Sequence, residues 1–280
     1  MIKADIRGND SFIIIFTDLD DTLLDHDSYD WEKAKPSLAY CQKTGIPVII
    51  VSSKTRAEIT ELHKAMGLKT PFVSENGGGI FFPLDFFKEN TGKDFIQIGD
   101  IWKLELGTPY RNLVKELKKI GRELGVILRG FSDMTPKEVS ELTGLSEESS
   151  LLALSREFDE PFIIAGKDDI DSDALERVAA KRGLRISRGG RFFHLHGRND
   201  KGEAISRLLS LYREKHGPVF ALALGDSPTD FSMFHRVDQP ILVCSEKTFP
   251  GIESEFPGII ITDKPGPEGW NSAVLGLLNS

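Results

Sequence analysis

At 280 residues the chain has length for one large domain or two smaller ones. Its 28% charged residues, 40% hydrophobic residues and net charge of −8 describe a folded protein with a substantial core, and exclude both a disordered chain and a strongly basic nucleic-acid binder. Two cysteines, Cys41 and Cys244, make neither a disulfide framework nor a metal-ligand spacing, and the apolar runs are too short for a membrane span, so free thiols, a cytoplasmic location and no nucleic-acid or membrane partner are expected.

The first 90 residues alternate strand and helix patterns. Phe12 to Thr17 and Ile46 to Val51 are continuous apolar runs rich in β-branched residues, the signature of strands buried on both faces. Between them a helix over Trp31 to Thr44 ends at Gly45, with Pro36 weakening its first turns. Thr55-Arg-Ala-Glu58 is a capping box that opens a helix running to Gly67. Phe72 and Val73 start a third strand, the glycines 77–79 break it, and Ile80 to Phe82 read as a hairpin arm.

The middle changes character. Thr108 and Pro109 open a helix to Gly125, Val126 to Arg129 is a strand, and Thr135-Pro-Lys-Glu138 is a second capping box before short polar helices. Strands at Phe162 to Ala165, Leu184 to Ser187 and Phe192 to His196 surround a helix over Asp171 to Arg182. After Asn199 the first pattern returns, with strands at Phe220 to Leu224, Ile241 to Cys244 and Gly258 to Thr262 and helices between them. The alternation predicts an α/β fold: a doubly wound parallel sheet built from residues 1–91 and 198–280, with residues 92–197 as an inserted α/β unit.

Ligands of open parallel sheets bind beyond the carboxyl ends of the strands. Three predicted strands end there in reactive residues: Asp18, Asp20 and Asp21 after the first, Ser52, Ser53 and Lys54 after the second, and Asp226 and Asp230 after the fifth. Lys201 opens a helix between them. Carboxylates converging on one crevice repel each other unless a cation is bound, and hard oxygen ligands select Mg²⁺.

Asp18-Leu-Asp20-Asp21-Thr22, Ser52, Lys201 and Gly225-Asp226-Ser-Pro-Thr-Asp230 resemble, in order and spacing, the four motifs of the haloacid dehalogenase-like hydrolases. Asp21 stands where glycine is usual and Thr229 where asparagine is usual. The resemblance implies a Rossmann-like core with an inserted cap, Asp18 as nucleophile, Asp20 as acid and base, Ser52 and Lys201 on the phosphoryl oxygens, and Mg²⁺ at Asp18, Asp20, Asp226 and Asp230. Further stretches, among them Ser74-Glu75-Asn76-Gly77-Gly78, Arg156 to Phe162 and Gly189-Gly190-Arg191-Phe192-Phe193-His194, are similar to the mannosyl-3-phosphoglycerate phosphatases. That implies a small anionic sugar-phosphate substrate and a monomer or homodimer. Ser53 and Lys54 then join the phosphate site, Glu75 and Asn76 meet sugar hydroxyls, and Thr229 touches substrate. Arg188 and Arg191 suit a glycerate carboxylate, which guanidinium binds bidentately, and His194 walls the cleft. Sugar-phosphate phosphatases of other specificity and phosphomutases share this core. Phospho-acceptor signalling domains share its acidic cluster, but the insert and Asp20 count against them.

Overall fold

The computed structural model describes residues 11–87, 93–166, 172–189 and 191–279. Its strands are β1 (Phe12–Thr17), β2 (Val48–Ile50), β3 (Phe72–Ser74), β4 (Gly79–Pro83), β5 (Phe95–Ile98), β6 (Ile101–Glu105), β7 (Ile127–Gly130), β8 (Asp159–Ala165), β9 (Arg185–Gly189), β10 (Phe192–His196), β11 (Val219–Gly225), β12 (Gln239–Cys244) and β13 (Ile260–Pro265). The central sheet has the order β13-β12-β11-β1-β2, every pair parallel. A single parallel bridge from Val51 to Val73 continues it to β3.

Alternation along β1 feeds two apolar layers. Ile15 packs with Ile50, Leu222 and Trp270 under the helices Lys35–Thr44, Arg56–Ala65 and Gly266–Leu278. Ile14 and Phe16 pack with Ala221, Ala223 and Leu208 under the helix Lys201–His216. Helices on both faces explain why these strands read as unbroken apolar runs. Both capping boxes form: the Thr55 and Thr135 side chains accept from the backbone N–H of Glu58 and Glu138. The first predicted helix starts late, because Pro36 sits in its first turn and a 3₁₀ turn, Glu32–Ala34, precedes it. Cys41 is buried, which pushes its thiol up to about 12, whereas Cys244 is only half-buried.

The expected boundary between residues 91 and 92 lies outside the described residues. The strands that follow it stay with the core: β5 and β6 complete an antiparallel sheet of order β3-β4-β6-β5, and Phe95, Trp102 and Leu104 pack on the core layer. The N–H groups of Leu106 and Gly107 both donate to the carbonyl of Gly78, so the chain leaves the core only there. The cap then builds its own antiparallel sheet, β7-β8-β10-β9. The helices Tyr110–Leu124 and Ser172–Ala180 cover one face through Leu113, Leu117, Leu175, Phe162 and Leu195.

Candidate active site

β1 lies between β2 and β11, so the loops leaving all three emerge side by side. The Asp18 N–H donates to Leu224 (2.9 Å), the Val51 N–H donates to Thr17 (2.8 Å), and the Trp270 indole N–H holds the Thr17 hydroxyl at 2.9 Å. Beyond Asp18 the chain curls around the carbonyl of Leu19, which accepts from Thr22, Leu23 and Leu24. The curl requires a left-handed residue, and Asp21 has φ of 58°. That geometry explains why glycine is usual in the motif, and short polar side chains tolerate it best after glycine. Asp21 also pairs with His26 at 2.6 Å.

The charged centre is buried. Lys201 Nζ lies 2.9 Å from Asp18 Oδ1 and 2.7 Å from Asp230 Oδ1. Asp230 Oδ2 accepts from the N–H groups of Asp226 and Ser227 and from the Ser227 hydroxyl, each at 3.1 Å. Asp226 Oδ1 accepts from the Thr22 hydroxyl at 3.4 Å, and Lys247 Nζ stands 3.5 Å from its other oxygen. Carboxylate oxygens of Asp18, Asp226 and Asp230 fall within 4.8 Å of one another. Burial, then the neighbouring carboxylates against the pull of Lys201, raises Asp18 to about 8. Burial and Asp230 raise Asp226 to about 6. A cluster short of positive charge in this way fits a divalent cation held by oxygen ligands. Asp18 and Asp226 have the lone pairs for it. Asp230 places one oxygen on Lys201 and the other on the N–H groups of its own loop.

The second loop closes the floor. Ser52 is buried and its Oγ accepts from the Lys54 N–H at 3.2 Å. Lys54 Nζ lies 2.9 Å from Asp20 Oδ1, joining the second loop to the first. Thr229 is exposed and bonds Ser227 within its own turn. Asn76, left-handed at φ of 52°, donates its N–H to the carbonyl of Ser52, and its buried Oδ1 has no hydrogen-bond partner among the described residues.

Three expectations are corrected here. Glu75 does not face sugar hydroxyls: its buried carboxylate accepts from the backbone N–H groups of Glu157 and Phe158, clasping the cap to the core. Burial lifts it to about 7 against the pull of Arg156 and those donors. Arg188 pairs with Phe193 across β9 and β10, places its guanidinium over that ring at 5.4 Å, and so shares the helix-covered face of the cap sheet. Arg191 donates to the carbonyl of Leu142 inside the cap. His194 is brought toward the core: its Nδ1 lies 2.7 Å from Asp159 Oδ2, which also takes Arg156 at 3.3 Å. Arg156 in turn donates to the carbonyl of Ser53 at 3.0 Å, and this buried arginine and aspartate are the link the residue pattern alone did not place.

Residues 15–95 match the haloacid dehalogenase-like hydrolase family. A protein of Persephonella marina named glucosyl-3-phosphoglycerate/mannosyl-3-phosphoglycerate phosphatase is 39% identical over 274 residues, spanning 95% of this chain and 97% of its own. A mannosyl-3-phosphoglycerate phosphatase of Pyrococcus horikoshii is 35% identical over 84% of this chain and 91% of its own. A crystal structure from Thermoplasma acidophilum shares the fold, with a TM-score of 0.67 at 20% identity over 96% of this chain and 100% of that one.

Proposed function

The chain belongs to the haloacid dehalogenase-like hydrolases and is a phosphoric monoester hydrolase, and from that premise we propose that it removes the phosphate of mannosyl-3-phosphoglycerate or its glucosyl analogue through an aspartyl-phosphate on Asp18. The observation that carries the mechanism is the pairing at Asp18. Lys201 holds one carboxylate oxygen at 2.9 Å, and among the described residues none bonds the other. The names of the relatives support the substrate.

Asp18 attacks phosphorus and the ester P–O bond breaks. Asp20 gives its proton to the departing alkoxide, then takes one from the water that hydrolyses the acyl phosphate. Lys201 and Ser52 hold the phosphoryl oxygens, and Lys54 steers Asp20 through their ion pair. Asp18, Asp226 and the backbone carbonyl of Asp20 would hold Mg²⁺, which would supply charge neutralisation for the phosphate dianion. Catalytic chemistry then belongs to the core, and choice of substrate to the cap. No described helix is long and apolar enough to cross a membrane.

A phosphate-release panel tests the proposal. With Mg²⁺, at least one glycosyl-3-phosphoglycerate is expected to show kcat/KM at least a hundredfold above p-nitrophenyl phosphate. A hexose 6-phosphate that outperforms both glycosyl-3-phosphoglycerates would overturn it.

A further inference from the structure

The register of the cap sheet sorts its polar residues. Directly opposed residues of an antiparallel pair share a face. His194 opposes Ser187, and His196 opposes both Arg185 and Asp159, so these five lie on one face. Phe162, Phe193, Leu195 and Ile186 lie on the other, in the apolar layer under the cap helices. The polar face is tied to the phosphate-binding loop through Asp159, Arg156 and the carbonyl of Ser53.

Two features mark this face as built for a ligand. Asp159 is 2% exposed, and among the described residues its Oδ1 has no hydrogen-bond partner, and neither has Nδ1 of His196. Asp159 also occupies Nδ1 of His194, which leaves Nε2 of that half-buried ring open for a donor or acceptor role. Burial, then the charges of His194 and Arg185, hold His196 below the usual imidazole range against the pull of Asp159, which puts Arg185 within electrostatic reach of the same patch. Arg185 itself is exposed, a guanidinium not spent in the interior.

We infer that the face formed by Arg185, Ser187, His194 and His196 is the subsite for the carboxylate of the substrate's non-reacting moiety, with Arg185 as the binding cation. Asp159 and Arg156 are positioning residues that set this subsite at a fixed distance from the phosphoryl group. The inference rests on the phosphoglycerate reading above and names the side chains that would distinguish such an ester from an uncharged one. Guanidinium is suited to it because it meets carboxylate with paired N–H donors and never loses its charge.

The test measures inhibition of p-nitrophenyl phosphate hydrolysis by 3-phosphoglycerate and by glycerol 3-phosphate, which differ in a carboxylate against a hydroxymethyl group. The wild-type enzyme is expected to bind the carboxylate ester at least tenfold more tightly. Arg185→Ala and Arg185→Gln should bring the ratio to within threefold of unity, Arg185→Lys should keep part of it, and Arg188→Ala, on the opposite face, should leave it within twofold. A wild-type ratio near one, or an unchanged ratio in both neutral Arg185 variants, overturns the subsite. If the ratios behave as expected but no glycosyl-3-phosphoglycerate is hydrolysed, the carboxylate subsite stands and the sugar substrate falls.

Discussion

Phe158→Ala removes a cap side chain from the apolar layer of the core. Phe158 is 1% exposed and packs in the cluster of Phe72, Phe81 and Ile59. Its socket is made of glycines. A Cβ added to Gly78 would lie 2.3 Å from the Phe158 Cβ, one on Gly79 2.7 Å from its ring, and one on Gly107 2.9 Å from its Cβ. A phenylalanine that buries about 150–200 Å² of apolar surface at about 25 cal/mol per Å² contributes about 4–5 kcal/mol. Truncations of this kind cost about 3–5 kcal/mol, depending on how far the site collapses. Collapse is opposed here, because Glu75 holds the Phe158 N–H at 2.7 Å and the Tyr110 N–H holds the Glu157 carbonyl at 2.7 Å. The expected loss is therefore about 4 kcal/mol in urea unfolding followed by circular dichroism. Gly78→Ala should be destabilising as well, since its methyl and the Phe158 ring claim the same space. A loss below about 1 kcal/mol for Phe158→Ala would refute the socket as the joint between cap and core.

Asp21→Gly should stabilise the fold by about 0.5–1 kcal/mol, because glycine adopts the left-handed turn freely and the partner His26 is too exposed for the lost pair to matter; a measured loss of stability would count against the reading. His63 is held down to about 4 by burial. The folded state then binds fewer protons than the unfolded chain between pH 6.5 and 4, so stability should fall as pH drops through that window, by up to roughly 3 kcal/mol relative to His63→Gln. Parallel pH profiles of the two proteins would contradict this. Added Mg²⁺ should raise Tm, with about 2.7 kcal/mol of stabilisation at a hundred times Kd, and Asp226→Asn should lose most of the shift; an equal shift in the variant would remove Asp226 from the metal site.

The core was legible because its physics is local. Phe12 to Phe16 and Val219 to Leu224 are apolar without interruption, as strands covered on both faces must be, and Thr55 and Thr135 announce their helices through caps. Asp18, Asp226 and Lys201 were legible because each follows a strand end or opens a helix at the carboxyl ends of the strands; the ion pair of Lys201 then reaches Asp18, and carboxylate oxygens of Asp18 and Asp226 lie within 4.8 Å of one another. β5 and β6 were not, since a short hairpin over Phe95 to Glu105 mixes Gln97, Gly99 and Asp100 with its apolar residues and takes its place only by pairing with β4. Glu75 was misplaced for a similar reason: a polar residue after a strand reads as a ligand contact, and only the distant N–H groups of Glu157 and Phe158 turn it into a clasp. Arg188 and Arg185 are three residues apart, and which one shares a sheet face with His194 and His196 depends on a register that spacing alone leaves open.

The nucleophile is the centre of the account, and trapping tests it directly. Borohydride added during turnover reduces an acyl phosphate to an alcohol, so an aspartyl-phosphate becomes homoserine. Peptide mass spectrometry is expected to find homoserine at position 18 alone, in a yield that rises in Asp20→Asn, where the attacking water has lost its base. Modification at Asp226 or Asp230, or full turnover by Asp18→Asn, would contradict the assignment.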